Sequence, residues 1–500
     1  MNGMTQKELL QLDAMADRLR QRIRTAPDRL TIGGTVYYVA ADGCDDSDGR
    51  SPAAAWRTLE KVSAASLMPG DGVLFRRGDV FRGSVYTKPG VTYGAYGTGE
   101  KPRLYGWQED LAVPALWECV DAVHHIWRYI RKIPDVGVLV FNDGERHSDK
   151  LIPSYIGGRF VCREDESRPF VMAAEMRNDL DIYWHFEERF TTVPSKGECF
   201  PIPDVNGTRG DLYLRCDAGN PGEAFDSIEA APRACMFYVG GNENVRIDNL
   251  CLKYIGVHAV SGGGPCVKNL CVTNCEIGWV GGTIQHYFGT DPNYPQGGRG
   301  TVTRYGNGVE IYGGCDGYTV ADCYIYQMYD AGITHQVTTS GQTYKMKDVC
   351  YRGNLVEHCV YSIEYFLDVN DGGTENLMEN VEICGNVLRY SGYGWGQQRH
   401  NKDTPAHIKG WSYRNPARGY RIHHNVFDRA AYRMLHLVCH KPESLPTMDS
   451  NTYVQYADGL LGQYGANETA EPPVRPFDAA AEEVIASVFG DKNAGVYRIG

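Results

Sequence analysis

One short pattern recurs along the second half of the chain and restricts the possible folds more than any other feature. Each copy has a polar or glycine residue, then a second residue that is often asparagine or cysteine, then a short apolar stretch. The second residues of the six copies are Leu250, Cys275, Cys323, Asn354, Asn386 and Asn425. They follow one another at intervals of 25, 48, 31, 32 and 39 residues. Short strands at this spacing, with no helical segment between them, predict a solenoid whose coils are parallel strands.

Asparagine occupies the same turn in three consecutive copies, at Asn354, Asn386 and Asn425. A stacked asparagine side chain can hydrogen-bond the backbone of its own turn and of the neighbouring turns. We therefore assign these residues a structural role. The longest interval contains residues 282–306, whose glycine, proline, tyrosine and arginine content predicts a long surface loop.

The two ends of the chain lack the repeat and predict caps for the solenoid. A capping box begins at Thr5, and an apolar stripe at helical spacing follows it. The predicted organisation is an amphipathic helix in residues 1–30, a solenoid in 31–465 with irregular coils and insertions at 110–235, and a helical cap in 466–500.

Composition argues against several kinds of partner. The 500 residues carry a formal net charge of −12 without a basic stripe, which disfavours nucleic acid. The longest apolar run, residues 136–141, is far shorter than the about 18 residues of a membrane span. Sixteen cysteines without a signal-peptide pattern predict reduced thiols and a cytoplasmic location, or secretion if a signal has been removed. The oligomeric state stays open.

The N-terminal third carries a second set of motifs. In order they are YYVAADG from residue 37, DDSDG from 45, SPAAAWRTLEKV from 51, PGDGVLFRRGDVFRG from 69 and VTYGAYG from 91. This order resembles the opening coils of bacterial glycoside hydrolases with the pectate-lyase-like fold. The resemblance implies an all-β chain, a right-handed single-stranded parallel β-helix with short helical segments at both ends.

Among those enzymes the chain is most similar in organisation to the lacto-N-biosidase family, which has a helical part before its β-helix. That family carries two catalytic aspartates close together in sequence. The nearest matches here are Glu364 with Asp371, and Asp368 with Glu375.

Alignment of the repeated strands predicts a column of outward side chains. With Val309, Ile333, Ile363, Trp395 and Leu435 inward, the next residues are Glu310, Thr334, Glu364, Gly396 and His436. Two glutamates two coils apart would lie roughly 9–10 Å apart at the backbone, close to the about 5–9.5 Å that glycoside hydrolysis requires between carboxyl groups.

Two more acids belong to this neighbourhood, Asp330 in the turn before Thr334 and Asp368 in the loop after Glu364. Crowded carboxylates raise one another's pKa, so that one can act as a general acid while another stays ionised. The candidate catalytic residues are therefore Glu364, Asp330, Glu310 and Asp368.

Polar and aromatic side chains around this column suit a carbohydrate, because flat apolar faces stack on sugar rings and polar groups bind hydroxyls. The predicted substrate-binding residues are His335, Gln336, Tyr365, Gln397, Arg399, His400, Trp411 and His436. The sequence has no HExxH motif and no CxxC spacing, so it predicts neither a metal site nor a cofactor.

Three functions remain open at the level of the sequence. The first is a glycoside hydrolase that uses a carboxylate pair. The second is a lyase or epimerase acting on a uronate-containing glycan, which would need a lysine or arginine base that the aligned column lacks. The negative net charge also disfavours a polyanionic substrate. The third is a glycan-binding module without catalysis.

Overall fold

A computed structural model describes residues 2–156, 159–165, 167–186, 207–287, 302–339, 341–369, 375–399, 404–468 and 470–500. Strands from successive coils pair in parallel and in register, which confirms the predicted right-handed parallel β-helix. No helix in these ranges is both long and apolar enough to cross a membrane. The cysteines in these ranges are all free thiols.

The strands of the β-helix form three faces. The first face carries the candidate site, and its strands in coil order are Val85–Tyr86, Phe237–Gly240, Val260–Thr273, Val309–Ala321 (β1), Ala331–Val337 (β2), Tyr361–Leu367 (β3), Ala406–Tyr413 (β4), Arg433–Cys439 (β5) and Leu460–Ala466. Val260–Thr273 and β1 continue past a bend onto the second face, where they pair again.

The second face contains Val36–Val39, Gly72–Arg76, Thr92–Tyr96, Arg246–Asp248, Lys345–Arg352, Leu377–Cys384, Ala417–His423 and Thr447–Asp449. The third face contains Asn2–Gly3, Val80–Arg82, Arg103–Tyr105, Cys251–Ile255, Glu276–Val280, Tyr324–Met328, Leu355–Glu357, Val387–Arg389, Val426–Asp428, Thr452–Tyr456 and Gly495–Ile499. Short helical turns connect some of these strands: Pro52–Ala54, Leu59–Ala64, Trp395–Gln398 and Pro442–Ser444.

Alternation along the strands fills the interior of the β-helix. The inward residues of β1 to β5 form an unbroken aliphatic row with no solvent exposure: Val309, Ile333, Ile363, Ile408 and Leu435. Burial of each such side chain contributes about 1.5–3 kcal/mol. The row fixes the register, because a shift of one residue would place every one of these side chains outside.

The predicted asparagine turns form a buried hydrogen-bond ladder. Asn386 Nδ2 donates to the backbone oxygen of Tyr351 at 2.9 Å and to Asn425 Oδ1 at 2.9 Å. Asn386 Oδ1 accepts from the backbone N–H of Asn354 at 3.0 Å. The ladder continues through Asn451, which donates to Asp491 at 2.8 Å. Each asparagine therefore ties its own turn to the next coil.

Residues 110–235 differ from the predicted irregular coils. They form mainly antiparallel sheets, with one parallel pair between Asp149–Leu151 and Asp181–His185, and a separate apolar core around Trp117, Trp184 and Phe141. These strands pair with one another and not with the coils, so no coil-to-coil period arises. The strands are Trp117–Asp121, Ile126–Tyr129, Ile133–Pro134, Val136–Phe141, Arg146–His147, Asp149–Leu151, Ser154–Ile156, Arg159–Val161, Asp181–His185, Arg209–Arg215 and Ile228–Pro232, with turns or helices at Pro114–Leu116, Asn142–Gly144, Met172–Glu175 and Pro221–Ala224.

The described ends of the 282–306 segment also differ from a simple loop. Thr283–Tyr287 and Val302–Tyr305 pair as antiparallel strands. The residues between them, 288–301, lie outside the described residues.

Both ends of the chain carry a helix that packs on the β-helix. The N-terminal helix Gln6–Arg24 begins at the Thr5 capping box and buries Leu12, Ala16 and Ile23. Its arginines reach the third face, where Arg20 pairs with Glu357 at 2.8 Å. At the other end, helix Ala481–Ser487 is followed by the strand Gly495–Ile499, and Arg475–Pro476 pairs at the edge of the first face.

Candidate active site

Strands β1 to β5 place one residue from each coil in a single outward column. Glu310 lies opposite Thr334, which lies opposite Glu364. Glu364 lies opposite Lys409, and Lys409 lies opposite His436. The predicted register of the two glutamates is confirmed, with Thr334 between them. Their backbones are therefore roughly 9–10 Å apart, two strand spacings.

The fourth position of this column corrects the sequence alignment. Gly396 was expected there with Trp395 inward, but Trp395–Gln398 is a helical turn and the strand of that coil is β4. The turn contains Trp395 before Gly396, and β4 contains Ile408 shortly before Gly410, so the two segments look alike in sequence. Only the pairing of β4 with β3 distinguishes them. Lys409 occupies the column instead, so the expectation that it holds no lysine or arginine was wrong.

The outward column borders a cavity of about 620 Å³ on the first face. All four predicted carboxylates line it, and so do three predicted substrate-binding residues, Gln336, Arg399 and Trp411. The other lining residues are Gln285, Tyr305, Asn307, Tyr312, Thr338, Tyr361, Phe366 and Ser412.

Glu364 has the most strongly perturbed carboxyl group of this cavity. Its side chain is buried, and the indole N–H of Trp411 donates to its Oε1. Burial raises its pKa to about 8, and the nearby Asp330 carboxylate acts in the same direction. The hydrogen bond from Trp411 and the cations Arg399 and Lys409 oppose this effect without cancelling it. Glu364 is therefore protonated at neutral pH and can act as an acid.

Asp330 stands immediately before β2 and is held by an arginine. Arg399 Nη1 lies 2.5 Å from Asp330 Oδ1. The guanidinium is itself fixed between aromatic rings, 5.5 Å from the ring centre of Tyr329 and 5.7 Å from that of Tyr361. Asp330 thus faces a cation, whereas Glu364 faces the indole N–H of Trp411.

Glu310 lies at the other end of the cavity and is bound differently. The side-chain amide of Asn307 donates to its Oε2, and His258 Nδ1 lies 3.3 Å from the same oxygen. With two polar groups at one oxygen, Glu310 suits a role in binding a sugar hydroxyl.

Asp368 lies at the rim and is engaged by one partner. Arg414 donates to it through Nε at 2.5 Å and through Nη2 at 3.2 Å, and the backbone N–H of Arg414 adds a third bond at 3.2 Å. Three bonds to one residue indicate that Asp368 anchors the short turn between β4 and the second-face strand Ala417–His423.

A second outward position, two residues after the column, supplies apolar surface. It holds Tyr312, Gln336, Phe366 and Trp411 on successive strands. Tyr312 and Trp411 keep more than a third of their surface exposed, although aromatic side chains of this size are usually buried. Exposed flat rings beside buried carboxyl groups are an arrangement that suits a sugar ring.

The structure corrects the prediction for His335 and Tyr365, which lie inside the β-helix. His335 is fully buried, its Nδ1 lies 2.8 Å from the hydroxyl of Tyr351, and its ring stacks on Tyr365. Burial lowers the pKa of His335 to about 3, so it stays neutral. Both residues stand two positions after an inward isoleucine, so alternation alone places them inward.

Two further predicted binding residues, Gln397 and His436, do not line the cavity. Gln397 donates to the backbone oxygen of Gly392 within its own turn. His436 belongs to the column but is buried, edge-on to Trp411 at 6.4 Å between ring centres, and burial lowers its pKa to about 2. His400 lies outside the described residues.

The sequence did not single out Asn307, Tyr361 and Lys409. Tyr361 begins β3 and Asn307 precedes β1, so both stand at strand starts, where loops usually bring functional groups. Lys409 would have been found from an alignment based on Ile408 instead of Trp395.

No protein-family model matches the chain, and no curated protein matches it. Some solved structures are similar. A structure of XylC with xylose is 11% identical, over 93% of this chain and 82% of that chain, with a TM-score of 0.44. A GH136 lacto-N-biosidase from Eubacterium ramulus is 12% identical, over 99% and 70%, with a TM-score of 0.42. A rhamnogalacturonan lyase is 10% identical, over 85% and 77%, with a TM-score of 0.38.

The superpositions are loose and the identities are low, so the chemistry of this chain has to be argued from its own side chains.

Proposed function

We propose that the protein is a glycoside hydrolase that cleaves a bond of an oligo- or polysaccharide bound on the first face. Glu364 is the general acid, and its proton passes to the glycosidic oxygen as the bond to the anomeric carbon breaks. Asp330 is the ionised partner, which attacks the anomeric carbon or takes the proton of the attacking water.

The observation that carries this proposal is the contrast between the two carboxyl groups in one cavity. Glu364 is buried with its pKa raised to about 8, whereas Asp330 is paired with Arg399. Glycoside hydrolysis requires one protonated and one ionised carboxyl group on opposite sides of the scissile bond. Glu310 is bound by Asn307 and Asp368 by Arg414, whereas Asp330 acts directly on the pKa of Glu364.

The aromatic residues support a carbohydrate substrate. Trp411 binds Glu364 through its indole N–H and keeps part of its ring exposed to the cavity. It can therefore stack on a sugar while it holds the acid in place. Tyr312 offers a second exposed ring at the Glu310 end of the same cavity.

The test is hydrolysis of a panel of neutral and acidic oligosaccharides, measured as new reducing ends. We expect Glu364→Gln and Asp330→Asn each to lower kcat by about 10²–10⁴-fold, the usual contribution of such groups. Asp316→Asn, on the part of β1 that belongs to the second face, is the matched control and should change kcat little. If neither Glu364→Gln nor Asp330→Asn lowers turnover more than tenfold, the assignment is wrong.

Lys409 favours a second candidate, a lyase acting on a uronate. A lyase needs a base that removes a proton from the sugar, and burial lowers the pKa of Lys409 to about 7. However, Lys409 is not among the described residues that line the cavity. Its Nζ lies 3.9 Å from the ring centre of Trp411, and Trp411 forms the cavity wall. An unsaturated product, detected by its ultraviolet absorbance and lost in Lys409→Met, would favour the lyase. Glycan binding without turnover across the panel would indicate a binding module.

A further inference from the structure

We propose a binding site for a transition metal of the zinc class on the second face, formed by Glu382, Cys384 and His423. These residues lie on Leu377–Cys384 and Ala417–His423, strands that do not contribute to the cavity of the candidate active site. The proposal is therefore independent of the hydrolase assignment.

The backbone of the β-helix brings the three side chains together. Cys384 and His423 are direct partners on adjacent coils. Glu382 stands two residues before Cys384 on the same strand, so its side chain points to the same side of the sheet. A carboxylate oxygen, the thiol sulfur and a ring nitrogen all lie within 4.8 Å of one another.

This spacing is close to that of a bound ion. Zinc binds sulfur at about 2.3 Å and imidazole nitrogen or carboxylate oxygen at about 2.0–2.2 Å, which places tetrahedral ligand atoms about 3.5 Å apart. The side chains are partly exposed and need to approach by only about 1 Å, which a change of rotamer supplies. The strands themselves need not move.

Histidine and carboxylate groups surround His423, while the cations Arg352 and Arg421 lie near Cys384. His423 Nε2 lies 3.1 Å from Glu382 Oε1, and His423 Nδ1 lies 2.9 Å from His424 Nδ1. Asp449 is the partner of His423 on the next coil. An imidazole that binds a metal through one nitrogen normally has its other nitrogen fixed by a hydrogen bond, and His424 is placed to provide it.

The turn of the β-helix fixes the backbone of His424. It has a φ of 55°, and Asp322, Gly353, Gly385 and Ser450 adopt the same left-handed conformation at the equivalent position of other coils. His424 is therefore held beside His423 by the regular turn geometry.

One competing contact has to be displaced. Arg421 Nη2 binds Glu382 Oε1 at 2.9 Å, but more than half of the Arg421 side chain is exposed. Exposed ion pairs contribute little to stability, so exchange for a divalent metal is feasible. The combination of thiolate, imidazole and carboxylate selects zinc or cobalt over magnesium and calcium, which prefer oxygen ligands alone.

The proposal is tested by calorimetric titration of the chelator-treated protein with ZnCl2. We expect one ion per chain at micromolar affinity or tighter. Cobalt should give a thiolate charge-transfer band and the visible bands of a tetrahedral ion. Cys384→Ser should abolish the band, and His423→Ala and Glu382→Gln should each weaken zinc binding at least tenfold.

The matched control is Cys119→Ser, which removes an exposed thiol in the antiparallel insertion and should leave the titration unchanged. Thermal unfolding without metal shows whether each variant is folded. Because Glu382 and His423 are partly exposed, their variants remain informative if Cys384→Ser does not fold. The proposal is overturned if the wild-type protein binds no zinc at 100 µM, or if folded Glu382→Gln and His423→Ala bind it as the wild type does.

Discussion

At the scale of single residues, the function depends on how Glu364 is surrounded. It stands at mid-strand, where its side chain points away from the aliphatic interior yet is covered by Trp411 and the neighbouring loops. Burial disfavours its charged form, and the Asp330 carboxylate disfavours it further. Glu364 thus stays protonated at neutral pH because of its position, and Arg399 pairs with the neighbouring Asp330.

The first prediction at this scale concerns pH. Glu364 must be protonated to donate its proton, so kcat/KM should fall as the pH rises through about 8, the pKa to which burial raises this group. Measurement of kcat/KM against pH with a substrate from the panel checks this. The residual activity of Glu364→Gln should lack the alkaline decline, and an unchanged decline in that variant would assign it to another group.

Sequence reasoning reached part of this site. Alternation around Val309, Ile333 and Ile363 was enough to bring Glu310 and Glu364 to one column. The surroundings of the Asp330 and Glu364 side chains could not be predicted, because Arg399 and Trp411 come from other coils. Arg399 reaches Asp330 from the residue after the turn Trp395–Gln398, and Trp411 reaches Glu364 from β4, the strand that the alignment misplaced.

At the scale of the elements, register and turns determine the β-helix. The six apolar repeats could be recognised in the sequence because each of their strands has to fill the same interior layer of the β-helix. The strand of the fourth site coil was misplaced because a turn at Trp395–Gln398 contains a similar short pattern. The hairpins of 110–235 were missed for another reason, since their strands pair within the insertion and follow no coil period.

The asparagine ladder gives the prediction at this scale. Asn386→Ala should lower the free energy of unfolding by about 3 kcal/mol or more, because several buried hydrogen bonds with Asn354, Asn425 and Tyr351 lose a partner. Denaturant unfolding measures the change. Asn493→Ala, which removes one exposed bond to Asp449, should cost less than about 1 kcal/mol. Equal effects of the two variants would contradict a structural ladder.

At the scale of the whole molecule, the β-helix needs its sides and ends covered. The N-terminal helix buries Ala16 and Ile23 against Tyr324, Leu355 and Val387 of the third face. Opposite charges reinforce this contact, since Asp13 binds both Arg389 and Arg429. The helix was predicted from its apolar stripe, whereas the face that it covers emerged only from the structure.

Ala16→Glu tests this docking. The position has no solvent exposure, so a buried carboxylate should release the helix and expose residues 1–30 to limited proteolysis. Leu10→Glu, at an exposed position of the same helix, is the control and should leave the digestion pattern unchanged. Equal protection of the two variants would show that the helix is held by its ion pairs alone.

The most direct test of the central claim uses two substrates of one sugar that differ in their leaving group. On an aryl glycoside with an activated leaving group, departure needs no protonation, so Glu364→Gln should recover most of the wild-type rate while remaining slow on the natural linkage. Asp330→Asn should stay slow on both substrates, because its role at the anomeric carbon is independent of the leaving group. Recovery by Asp330→Asn, with none by Glu364→Gln, would contradict the assignment of acid and partner.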